Sequence, residues 1–106
     1  MPKYLLQASY TVEGVKGLLK EGGTSRHAAV KEAVKSVGGT IESFYFAFGE
    51  SDVYVIADLP DNVSMAALAL ATGASGTVRT KTTVLLTPQE VDAVAKKAPK
   101  YRAPGH

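Results

Sequence analysis

Ile41-Glu42-Ser43-Phe44-Tyr45-Phe46-Ala47-Phe48, then Gly49-Glu50-Ser51-Asp52, then Val53-Tyr54-Val55-Ile56-Ala57-Asp58-Leu59 is the stretch that decides the fold. Two runs rich in aromatic and β-branched residues flank a short polar segment that contains glycine. Such runs favour the pleated, half-buried surface of a sheet, and the polar segment supplies the reversal, so the stretch is expected to be a β-hairpin. Alternation sets Phe44, Phe46 and Phe48 on one face and Ile41, Tyr45 and Ala47 on the other. The second arm sets Val53, Val55, Ala57 and Leu59 against Tyr54 and Ile56.

The chain upstream of the hairpin reads as a strand and two helices. Lys3 to Tyr10 alternates, with Tyr4, Leu6, Ala8 and Tyr10 on one side and Leu5, Gln7 and Ser9 on the other. Thr11 is placed to cap a short helix whose Gly14 and Gly17 each cost about 1 kcal/mol relative to alanine. Gly22-Gly23 is expected to end it. Thr24 or Ser25 is then expected to cap a second helix, in which Val30, Ala33, Val34 and Val37 form one apolar stripe and Arg26, Lys31, Glu32 and Lys35 fall largely off it. Gly38-Gly39 stops that helix.

Downstream, Asp61 or Asn62 is expected to cap an alanine- and leucine-rich helix from Val63 to about Thr72. A strand from Thr77 to Leu86 follows, with Arg79, Lys81, Thr83 and Leu85 on one face. Thr87-Pro88-Gln89-Glu90 is a capping-box sequence with proline at the first helical position, opening a short terminal helix to about Ala98. The order strand, helix, strand, strand, helix, strand is the split β-α-β pattern of a ferredoxin-like α+β fold with an antiparallel four-stranded sheet. One domain over residues 1–98 is expected, followed by a flexible basic tail, residues 99–106.

With helices on one face only, the other sheet face should be polar if it met water. Tyr45, Tyr54 and Ile56 make it apolar near its centre. A second copy is therefore expected to cover it, sheet against sheet.

Composition narrows the functional classes. The 106 residues contain no cysteine, which excludes disulfides, zinc–thiolate sites, iron–sulfur clusters and cysteine nucleophiles. Net charge is +2, yet Lys96, Lys97, Lys100 and Arg102 lie in the last eleven residues, and the body without them is at −2. A folded basic face for nucleic acid is not expected. The start lacks an apolar signal core and no run is long enough to span a bilayer, so no membrane association and a cytoplasmic location are expected. No phosphate-binding glycine loop and no Gly-x-Ser-x-Gly elbow occur, and with two histidines neither a metal nor any other cofactor is expected.

Several residues are candidates for a site. Arg79 and Lys81 share a strand face with Thr83 and could form a cationic wall for an anionic ligand, with Gln7, Ser9, Ser43 and Tyr45 as polar neighbours. An unpaired charge directed inward on a sheet costs several kcal/mol, on the order of 2–7 for polar groups in general, which makes this the most informative of the signals. Tyr10, Tyr45 and Tyr54 could offer phenol groups to a cavity or serve as core and interface rings. Asp52, beside Glu50, is either one of a pair of carboxylates at a cavity mouth or a turn residue bonding backbone amides. His27, in the first turn of its helix, is either a base or a solvated surface residue.

The chain resembles the GYD domain family. The resemblance is carried by Tyr4-Leu5-Leu6-Gln7-Ala8-Ser9-Tyr10-Thr11, the strand from Gly39 to Phe48, Gly49-Glu50-Ser51-Asp52-Val53-Tyr54-Val55-Ile56, and Lys81-Thr82-Thr83-Val84-Leu85-Leu86-Thr87. It covers residues 3 to 92. Gly49 and Asp52 match the Gly-Tyr-Asp turn of the family name, with Ser51 in the place of the tyrosine. The resemblance implies a dimeric α/β barrel and no established activity. Two functions are expected on this basis: a homo-oligomer binding a small anionic or aromatic ligand in or beside its barrel, or, by analogy with similar barrels, a cofactor-free monooxygenase- or isomerase-like enzyme.

Overall fold

A computed structural model describes residues 1–106. Its elements are β1 (Lys3–Tyr10), α1 (Val12–Glu21), α2 (Gly23–Ser36), β2 (Thr40–Phe46), β3 (Val53–Asp58), α3 (Asn62–Ala74), β4 (Val78–Leu85) and α4 (Pro88–Lys97). One antiparallel sheet has the order β2-β3-β1-β4. Each split unit therefore brackets a strand of the other, with β3 between β1 and β2, and β1 between β3 and β4. This is the strand order of a ferredoxin-like α+β sandwich.

Local chemistry accounts for most element ends. Thr11 accepts a hydrogen bond from the Gly14 amide and caps α1, Asp61 accepts from the Ser64 amide and caps α3, and Thr87 and Glu90 complete a reciprocal capping box on α4. The α1–α2 junction departs from expectation. Neither Thr24 nor Ser25 caps α2. The helix already begins at Gly23, and Gly22 alone makes the corner in the left-handed region, at φ 85°. Glycine adopts that conformation without steric cost, so one residue suffices where a longer capped turn was expected.

The core lies between the sheet and α2 and α3. Tyr4 and Leu6 of β1, Val53, Val55 and Ala57 of β3, Leu59, Val34 of α2, and Met65 and Leu68 of α3 form one buried cluster. The Tyr4 hydroxyl donates to Asn62 Oδ1 at 2.5 Å, which ties the buried ring to the first turn of α3.

The hairpin carries a correction. Ile41 lies opposite Ala57, but Ser43 lies opposite Ile56, so Glu42 is an inserted residue in β2. The bulge moves Ile41 onto the helix-side face with Phe44 and against the core, not onto the face of Tyr45. Phe48 also departs from the pattern: β2 ends at Phe46, and Phe48 sits fully exposed in the connecting loop.

The opposite sheet face carries no helix. Cross-strand partners place Tyr45, Tyr54, Gln7 and Lys81 in one row across the four strands, with Ser43, Ile56, Leu5 and Thr83 in the next. At its β2 end, Tyr45 is 71% exposed. The molecule measures 57 × 32 × 22 Å, with a radius of gyration of 16.8 Å, against about 13 Å for a compact domain of this length. Everything after Thr87 is exposed, so α4 and the following residues add length without adding core.

Candidate functional site

Between the sheet and the two long helices lies a cavity of about 340 Å³. Its floor is the helix-side face of the sheet: Leu6, Ala8 and Tyr10 of β1, Phe44 of β2, Val53 and Val55 of β3, and Val78 and Thr80 of β4. Its walls are Arg26, Ala29, Val30 and Ala33 of α2 and Leu68, Ala71, Thr72 and Ser75 at the end of α3, with Thr77 beyond. Three of the eight helix-wall residues are alanines, all at exposed positions on the rim. Ala29, Ala33 and Ala71 leave space where larger residues would reach across.

The polar groups in this lining are few. The Thr72 hydroxyl donates to the Leu68 carbonyl, and the Ser75 and Thr77 hydroxyls are 2.7 Å apart. Tyr10 lends an aromatic ring and a phenol. Arg26 is the one charged lining residue, and no carboxylate, histidine or lysine takes part. Arg26 was expected to fall off the apolar stripe of α2. It lies four residues before Val30 and seven before Ala33, so the stripe extended back by one turn ends on it. That spacing was the sequence signal for its role.

The candidates named from sequence divide between two sides of the sheet. Arg79 lies opposite Ser9 and Lys81 opposite Gln7 on the helix-free face, the same face as Tyr45 and Tyr54. Arg79 is exposed and has no ion-pair partner. Lys81 pairs with Glu50 at 3.6 Å, both side chains largely in water, where such a pair contributes little. His27 is on the other side, stacked on Phe44 with ring centroids 4.6 Å apart. It therefore backs a ring that lines the cavity and is not itself in the lining.

Asp52 performs turn chemistry. Its Oδ2 accepts from the Tyr10 amide at 2.8 Å, its own amide donates to the Ala8 carbonyl at 2.8 Å, and its carbonyl accepts from the Ala47 amide at 2.8 Å. These bonds extend the β1–β3 pairing by one residue and close the hairpin loop. Ser51 beside it is 2% exposed, and its hydroxyl lies 3.4 Å from Gln7 Oε1 on the helix-free face. The loop thus leans over that face, close enough for Glu50 to reach Lys81 on β4.

One further cluster is electrostatic. Lys3 Nζ donates to both Glu42 and Asp58, the latter at 3.0 Å. The bond to Glu42, followed by that to Asp58, raises the Lys3 ammonium above its ordinary range. Glu42 reaches Lys3 because the bulge turns it toward the helix-free side. No group of three or more histidine, cysteine, aspartate or glutamate side chains is arranged to hold a metal ion, and no helix is long and apolar enough to cross a membrane.

The model of the GYD domain family matches residues 4–95. The chain belongs to the GYD domain family. The match spans all four strands and most of α4, so the hairpin loop with its buried Ser51 and the cavity both lie inside the family domain. No curated protein and no solved structure matches the chain.

Proposed function

We propose that this GYD domain protein binds a small, mainly apolar molecule between its sheet and helices, and that it does so as a homodimer. The observation that carries the reading is the cavity of about 340 Å³ under α2 and α3, with its predominantly apolar lining. Ligand pockets of this kind are concave, apolar and supplied with a few orienting polar groups. The volume is about twice the ~150 Å³ of an apolar cavity that takes up benzene.

Binding is favoured over catalysis by the inventory of the lining. Hydroxyls and one guanidinium can orient a ligand. The carboxylates and imidazoles that usually move protons at neutral pH are not among the lining residues. Dimerisation is supported by the other face of the sheet. Tyr45 beside Tyr54, and Ile56 beside Leu5, form a continuous patch that a second copy would remove from water.

Native mass spectrometry of protein taken directly from cells tests both parts. A dimer with retained small-molecule mass is the expected result. A monomer refutes the dimer. A ligand-free dimer that also takes up no added naphthalene derivative refutes the cavity reading.

A further inference from the structure

Arg26 is unusual among the lining residues in being both charged and uncommitted. It sits in the first turn of α2, one turn before Val30, and its side chain is 30% exposed. Its only ion-pair partner is Glu21, at the end of α1, at 3.7 Å. That separation is too long for a hydrogen bond, so none of the five guanidinium donors is hydrogen-bonded within the chain. The Glu21 carboxylate is itself 45% exposed, and a pair of this kind contributes about 0–1 kcal/mol.

The two residues are held on either side of the one-residue corner at Gly22. Glu21 is not among the residues that line the cavity. The cavity lies against Phe44 and Val30. A planar fork with free donors, lining an otherwise uncharged apolar space, is suited to receive a carboxylate.

We propose that the cavity selects a monoanion with an apolar body of about two fused rings, an aryl carboxylate or a chemical equivalent, whose anionic group takes the Arg26 guanidinium. This rests on the cavity reading above and adds the class of ligand. The apolar body lies among Ala29, Ala33, Phe44 and Ala71, and the carboxylate accepts from Arg26. Glu21 is the internal competitor for the same cation. Exchange between the two carboxylates requires side-chain rotation and no change in the backbone.

The experiment is calorimetric titration with 2-naphthoate, 2-naphthylmethanol and 2-naphthylmethylamine, using the full chain and four variants. Naphthoate is expected to bind about tenfold more tightly than the alcohol, the share of a charge-assisted hydrogen bond that survives partial access to water, and the amine more weakly than both. Arg26→Gln is expected to bring naphthoate down to the affinity of the alcohol and leave the alcohol unchanged. Glu21→Gln is expected to strengthen naphthoate several-fold by removing the competitor.

Ala33→Phe, at an exposed helix position that lines the cavity, is expected to weaken all three ligands. Equal binding of naphthoate and alcohol, unaffected by Arg26→Gln, overturns the anion assignment and leaves the cavity reading standing. Loss of the preference in Arg79→Gln instead moves the anion site to the other sheet face and overturns the assignment as well. Failure of every ligand to bind, or binding indifferent to Ala33→Phe, overturns the cavity reading itself.

Discussion

The Thr77 carbonyl occupies the space that a side chain on Gly14 would need. A Cβ built at residue 14 would lie 2.0 Å from that oxygen and 2.8 Å from the Tyr10 ring. The Thr11 amide donates to the same carbonyl at 3.0 Å. The first turn of α1 is thus pressed against the entry to β4. Gly14→Ala is expected to destabilise the fold severely, despite the gain of about 1 kcal/mol in helix propensity. Gly17, three residues on, has open space around it, and Gly17→Ala is expected to stabilise by up to about 1 kcal/mol. Denaturant midpoints of the two variants, compared with the parent, measure the opposite signs.

Asp52 bonds the Tyr10 amide, so its removal leaves a part-buried donor without a partner. Asp52→Ala is expected to lower stability by about 1.5–3 kcal/mol, the range for hydrogen bonds to charged groups. Asp52→Asn retains an acceptor and is expected to lose less. Ligand affinity in the cavity is expected to survive Asp52→Asn. A large loss of affinity with unchanged stability would reassign Asp52 to a site.

Two groups contribute with opposite sign to the pH dependence of stability. The Ser64 amide, with the Ser64 hydroxyl second, holds the Asp61 carboxyl below 3.8. Its folded value is below its unfolded value, so its contribution is complete above 3.8 and disappears as pH falls through the lower folded value. Lys3 is held above 10.5, first by Glu42 and then by Asp58. Its contribution is complete below 10.5 and is lost as pH rises through the higher folded value. Unfolding midpoints measured across pH are expected to lose the acid step in Asp61→Asn and the alkaline step in Lys3→Met.

Ile56 stands at the centre of the helix-free face, opposite Leu5 and Ser43. A lysine there stays solvated in a monomer and is buried in a face-to-face dimer. Ile56→Lys is expected to sediment as a folded monomer at micromolar concentration while circular dichroism is unchanged. If the parent chain sediments as the proposed dimer and the variant does too, the interface lies elsewhere.

Thr87 caps a helix that buries nothing. Losing a cap costs about 1 kcal/mol of helix stability, and here that loss falls on α4 alone. Thr87→Ala is expected to raise amide exchange within Pro88–Lys97 and to leave the main unfolding transition of the domain in place.

The periodic features were readable from the chain because they depend on neighbours in sequence. Alternation in Lys3–Tyr10 and Val53–Asp58, the Asp61 cap and the Thr87–Glu90 capping box all act within a few residues, and they determined the strands, the element order and the fold class. Tertiary structure decided what lies far apart in sequence. The bulge at Glu42 reversed the face of Ile41, since only pairing with β3 reveals an inserted residue. The close approach of Thr77 gave Gly14 its reason. The helix-side cavity gave Arg26 a place among residues from six elements, while Arg79, Lys81, Tyr45 and Tyr54 fell on the opposite face. A site is a convergence in space: helical spacing puts Arg26 on the stripe of Val30 and Ala33, but nothing local says that this stripe will meet Phe44 and Ala71.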